Sequence, residues 1–255
     1  MSAPPVRDDP GPALALARTL AAFEEGAIRA NAAGRHLGAL APAEAVSAVA
    51  ALVRALPAPE VRAALTAVGQ ALVDPGEALP YAWRAEVYAE ASERGATEVA
   101  ALLLAPPPRR AFKEPRDKAD PRLAHLTLGH KKAMARAQRD PDLLARLAAE
   151  GEPVVVRELL RNAQLTEPFV VRIASRRPCR PETLRCIFEA RRWRTRTAVA
   201  LALVRNPYSE TELALKLLTA LATGELREIS RDGVLHPLVR AMAGRIVEER
   251  ERAGA

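Results

Sequence analysis

Two cysteines in 255 residues exclude a disulfide framework as the source of stability. Aromatic residues make up 4% of the chain while 49% of it is apolar, so the core must be aliphatic. No apolar run approaches the roughly 20 residues that a membrane-spanning helix needs. The opening stretch MSAPPVRDDPGPALALARTLAAF has neither the basic flank nor the long apolar run of a secretory signal. These absences lead to the expectation of a soluble, cytoplasmic protein with no membrane partner.

Catalytic signatures are missing as well. The 13 glycines fall neither as GxGxxG nor as GxxxxGK before Ser or Thr, and HExxH and GxSxG do not occur. His36, His125, His130 and His236 are scattered along the chain. Cys179 and Cys186 are seven residues apart, wider than a zinc half-site. Cys186 lies beside Leu184, Ile187 and Phe188, which suits a small buried hydrophobe better than a ligand. The paired acids Glu24-Glu25 and Glu248-Glu249 sit in polar, helical-looking stretches and read as solvated faces. No catalytic residue, metal or cofactor is therefore expected.

What the chain does contain is alanine, leucine, arginine and glutamate. These residues lose little side-chain freedom in a helix, and β-branched or aromatic runs are scarce, so an all-α fold is expected. Proline supplies the punctuation. It is welcome in the first turn of a helix and disruptive inside one, and here it repeatedly opens apolar segments, at Pro42, Pro59, Pro121, Pro141, Pro153, Pro181 and Pro237. Asp120, Asp140 and Thr166 stand where N-caps belong, and Ser209 with Glu212 has capping-box spacing. Leu213, Leu217, Leu218 and Leu221 form one helical stripe; Leu238, Met242 and Ile246 form another.

The segments between these marks are short, which predicts stacked helical hairpins rather than a long-helix bundle. Residues 105–122 (APPPRRAFKEPRDKADPR) are rich in proline and charge and read as a linker. The expected organisation is a disordered stretch 1–10, a helical domain 11–104, the linker 105–122 and a second helical domain 123–252. Charge divides at the linker too. Residues 1–106 carry 8 basic and 12 acidic residues; residues 107–255 carry 30 and 19.

An Arg-Asx pair recurs in turns at Arg139-Asp140, Arg161-Asn162, Arg205-Asn206 and Arg231-Asp232, at intervals of 22, 44 and 26 residues. A related turn stands at Arg176-Arg177-Pro178, off the strict period. The stretch ALVRNPYSETELALKLL resembles bacterial HEAT-like repeats and the related leucine-rich-repeat variants, in which Asn-Pro turns link successive helices. The resemblance extends mainly over residues 125–247, and only Arg205-Asn206-Pro207 matches cleanly. It implies a right-handed α-solenoid-like array of short antiparallel helix pairs and a scaffold function.

The stretch RRPCRPETLRCIFEARRWRTRT, residues 176–197, holds eight arginines. Guanidinium groups bind phosphates and carboxylates bidentately, so Arg176, Arg177, Arg180, Arg185, Arg191, Arg192, Arg194 and Arg196 are candidate binding residues. Trp193 among them is either an interhelix packing residue or a stacking platform. Lys131 and Lys132 extend the patch. Arg185, Arg192 and Arg196 share a face if one helix runs through them. A GC-rich coding sequence produces the same excess of arginine, 33 against 5 lysines, with solvated faces and no ligand.

The expected function is a non-enzymatic interaction or scaffold protein holding an acidic protein or peptide on this basic surface. The alternative is sequence-independent nucleic-acid binding by the same arginines, helped by Arg109, Arg110, Lys113 and Lys118. A HEAT-like DNA glycosylase would need aromatics around one concave site, whereas Trp83 and Trp193 lie on opposite sides of the linker.

Overall fold

The computed structural model describes residues 11–55, 58–73, 75–104, 108–114 and 120–254. All regular structure among them is helical, in sixteen α-helices, as the composition predicts. None of these helices is long and apolar enough to cross a membrane. The expected disorder of residues 1–10, and Lys118 with most of the linker's middle, fall outside the described residues.

The chain forms two compact units. The first comprises residues 1–105, 215–233 and 237–255. Its helices are α1 (Gly11–Ala21), α2 (Gly26–Gly38), α3 (Pro42–Arg54), α4 (Pro59–Val73), α5 (Tyr81–Glu93) and α6 (Thr97–Leu102). Leu20, Leu37, Leu52, Leu65, Leu79 and Leu102 fill its aliphatic core. Gly38 ends α2 where a Cβ would stand 2.0 Å from the Ala78 carbonyl oxygen, so only glycine allows this approach.

The second unit comprises residues 106–214 and 234–236, with 23 basic and 13 acidic residues. It contains α7 (Leu128–Ala137), α8 (Pro141–Glu150), α9 (Pro153–Leu159), α10 (Glu167–Ser175), α11 (Pro181–Glu189), α12 (Arg191–Arg194) and α13 (Thr197–Val204). After them come α14 (Thr211–Leu218), α15 (Thr223–Arg231) and α16 (Pro237–Gly254). Within the second unit α7 packs on α9, α9 on α11, and α11 on α13. In the first unit α15 and α16 pack together, and α16 also packs on α3 and α6.

Six of the seven proline marks open a helix, at Pro42, Pro59, Pro141, Pro153, Pro181 and Pro237. Pro141, Pro153 and Pro181 occupy first-turn positions, where the missing N–H would have no intrahelical partner. Asp140 caps α8 by accepting the Asp142 N–H at 3.0 Å. Three expectations differ. Asp120 accepts the Arg122 N–H, but residues 121–125 form turns instead of a helix. Thr166 stands at the N-cap of α10 without a side-chain cap bond. Ser209 turns its hydroxyl inward, donating to the Leu203 carbonyl at 2.6 Å, and α14 begins only at Thr211. Gly151 ends α8 in the left-handed region (φ 67°), which turns the chain directly into Glu152-Pro153 and α9.

Side chains from one segment cap the carbonyls of an earlier one. Asn206 donates from Nδ2 to the Ala174 and Arg176 carbonyls at 2.7 and 2.9 Å, and its Oδ1 accepts the Tyr208 N–H at 3.1 Å. Asn162 repeats the pattern on Ala135 and Gln138, both at 2.9 Å, and accepts the Gln164 N–H at 2.8 Å. Both asparagines are buried. The last carbonyls of a helix have no intrahelical donor. A side-chain amide 24 to 32 residues later supplies it here.

Candidate binding clefts

The arginine stretch 176–197 does not form one face. α11 stops at Glu189, Ala190 is extended, and the four-residue α12 precedes another break before α13. The phase is reset twice. Arg185, Arg192 and Arg196 therefore do not line up as a continuous helix would place them.

Several of the candidates hold the fold together. Arg185 donates to both Glu210 carboxylate oxygens, from Nε at 2.9 Å and from Nη2, and this pairing holds its guanidinium above the usual basicity. Arg194 is 3% exposed. Trp193 is 2% exposed, donates from Nε1 to the Leu160 carbonyl at 2.9 Å, and lies under the Arg192 guanidinium, 4.4 Å from the ring centroid. It is a packing residue, the first of the two roles read from the sequence. Arg196 is exposed and lies 3.8 Å from Glu167. Lys132 is exposed on α7.

The remaining candidates divide between two clefts of the second unit. The first, about 560 Å³, has Arg176, Arg177, Arg180 and Lys131 in its lining. Its charges are mostly matched. Lys131 pairs with Glu150 at 2.8 Å, both largely buried, and Arg180 pairs with Glu152 and Glu114. Arg176 donates to the Ala148 carbonyl at 3.1 Å at the end of α8, and Arg177 to the Arg205 carbonyl at 2.5 Å. Cys179 forms part of the wall, and burial pushes its thiol up to about 11, which keeps it protonated and unreactive at neutral pH.

The second cleft, about 640 Å³, lies along α9 and the α11–α12 junction. Arg157, Arg161, Arg191 and Arg192 line it, and Glu189 is the one carboxylate among its lining residues. Arg157 lies on α9 and Arg161 in the turn two residues beyond its end, and both line this cleft. Arg157 meets the Cys186 thiol at 3.6 Å, and Arg192 donates to the Asn162 and Leu165 carbonyls at 3.2 and 3.0 Å. A thiol and two carbonyls orient these guanidinium groups without cancelling their charge. Arg161 shares Glu158 with Arg136, at 3.0 and 3.8 Å.

Arg157 and Arg161 were not binding candidates in the sequence, because Arg157 falls in the apolar segment opened by Pro153 and Arg161 reads as part of the Arg161-Asn162 turn. Their only signal is a stacking partner some thirty residues later, at Arg191 and Arg192. Among the described residues, no three His, Cys, Asp or Glu side chains gather as a metal-ligand set. No protein-family model, curated protein or solved structure matches the chain.

Proposed function

We propose that this chain is a non-enzymatic interaction protein whose second unit is a solenoid-like stack of short helices, HEAT-like in kind, presenting a basic groove to an acidic segment of a partner protein. Support for the stack comes from the packing of next-but-one helices and from Asn162 and Asn206, which make the same three bonds 44 residues apart. Fold alone does not determine function, so the docking reading rests on the groove. The observation that carries it is the concentration of Arg157, Arg161, Arg191 and Arg192 around one cleft with a single lining carboxylate.

A peptide carrying several carboxylates suits this groove, because guanidinium groups donate to carboxylates bidentately. Single-stranded nucleic acid would gain from an aromatic platform, and the tryptophan nearest the groove has its ring buried. The test is fluorescence anisotropy of the full chain with a labelled Asp/Glu-rich peptide and with a labelled mixed-sequence duplex, each across a salt series. The docking reading expects tighter binding to the peptide. Tighter binding to the duplex, with a steep negative slope of log K against log salt, would transfer the groove to nucleic acid. Absence of binding to either at low salt would remove the reading.

A further inference from the structure

Residues 108–114 form no helix, yet they are fastened to the second unit at three points. The Arg110 N–H donates to the Pro207 carbonyl at 3.0 Å. The Phe112 ring lies beneath the Arg180 guanidinium, 5.8 Å from its carbon to the ring centroid. The Glu114 carboxylate pairs with that same guanidinium. Phe112 and Glu114, two residues apart, thus both engage Arg180. Both residues line the first cleft.

We propose that this cleft is a peptide-binding site, that its partner is an extended acidic segment with an aromatic residue two positions before a carboxylate, and that residues 110–114 occupy it in cis as a competing internal ligand.

The cleft has a fixed part and a replaceable part. Lys131–Glu150 and Arg180–Glu152 link elements of the folded unit, and Arg176 is tied to the end of α8. The Glu114 side chain, by contrast, is 73% exposed, and an ion pair so open to water is weak. Lifting it away leaves Lys131, Arg176, Arg177 and Arg180 facing only Glu150 and Glu152, a surplus of two positive charges beside the surface that Phe112 covers. An incoming aromatic and carboxylate restore what the arm supplied. The proposal concerns a different cleft from the basic groove, and either can fail while the other stands.

The probe is a labelled acetyl-Ala-Phe-Ala-Glu-Asp-amide peptide, titrated by anisotropy into the full chain. An internal competitor lowers apparent affinity by the fraction of time the cleft is open. Phe112→Ala/Glu114→Ala is therefore expected to bind the probe about fivefold to tenfold more tightly than wild type. Arg180→Gln in that background should abolish binding, Arg180→Lys should weaken it, and replacing the probe's Phe by Ala should remove it. Far-UV circular dichroism checks that each variant keeps its helix content. If an Arg180 variant loses helix, faster exchange of the Arg110 amide on adding probe to wild type must carry the same conclusion. Equal affinity in wild type and the arm variant, no binding by either, or binding retained in Arg180→Gln would overturn the proposal. Arg157→Glu/Arg161→Glu should bind this probe as wild type does; its loss there would assign the peptide to the basic groove and equally overturn it.

Discussion

Replacing Asn206 by aspartate tests the inter-helix capping with a change of almost no volume. In the native chain the amide nitrogen serves two carbonyls near the end of α10, while the amide oxygen receives the Tyr208 N–H. Asn206→Ala removes all three bonds and leaves two acceptors, one buried and one half-buried, without this donor. At about 1 kcal/mol per neutral bond, with more for each buried group left unmet, the loss is about 3 kcal/mol. Asn206→Asp keeps the bond to Tyr208 but sets a carboxylate against the Ala174 and Arg176 carbonyls. Repulsion and the desolvation of a buried charge should make it at least about 1 kcal/mol worse than alanine at neutral pH, despite its better shape. The aspartate's folded pKa is raised above its ordinary value of about 3.9, so its protonated form is favoured on folding and the penalty shrinks as pH falls toward about 4. Urea titrations of the three proteins by far-UV circular dichroism, at neutral pH and near pH 4, measure the order. An aspartate variant as stable as wild type at neutral pH would refute the donor role assigned to this side chain.

Two further outcomes follow from buried polar groups. Arg250 is 7% exposed and donates to the Val53, Leu221 and Thr219 carbonyls at 3.0, 2.8 and 2.9 Å, a latch of α16 onto the end of α3 and the turn after α14. Arg250→Ala should cost about 3–5 kcal/mol in urea unfolding, and Arg250→Lys, which cannot span three carbonyls, should recover only part of this. The Cys179 thiol is pushed up to about 11 by burial, from a starting value of 9.0. A raised folded pKa gives stability that is present below the unfolded value and lost as pH rises through the folded one. Wild type should therefore lose about 2–3 kcal/mol between pH 9 and pH 11 relative to Cys179→Ala, measured as the difference between their denaturation midpoints.

The all-α class and the six helix starts marked by proline were legible because they rest on local chemistry. Pro141, Pro153 and Pro181 act within one turn of where they stand, and Asp140 caps the helix that begins beside it. Asn206 was legible as a turn, though not as the donor that reaches back 30 and 32 residues. The arginine stretch was the least readable. Its eight members look alike in sequence, and the breaks at Ala190 and Thr195 send them to different environments. Arg185 finds a carboxylate in a segment 25 residues later, and Arg194 turns into the core. Arg157 and Arg161, outside that stretch, join Arg191 and Arg192 only because α9 stacks on α11. Likewise, nothing in RIVEERERAG indicates that α16 rests on α3, since that packing spans nearly the whole chain.

The most direct measurement compares two charge reversals of equal size in the full chain. Arg157→Glu/Arg161→Glu alters the groove; Arg139→Glu/Arg172→Glu alters two exposed arginines that line neither cleft. Both are titrated with the Asp/Glu-rich peptide at physiological salt. A docking groove predicts a loss of roughly tenfold or more for the first pair and no more than about threefold for the second, because distant charges are screened. Equal losses from the two pairs would mean that overall charge attracts the peptide, and would contradict the groove as its seat.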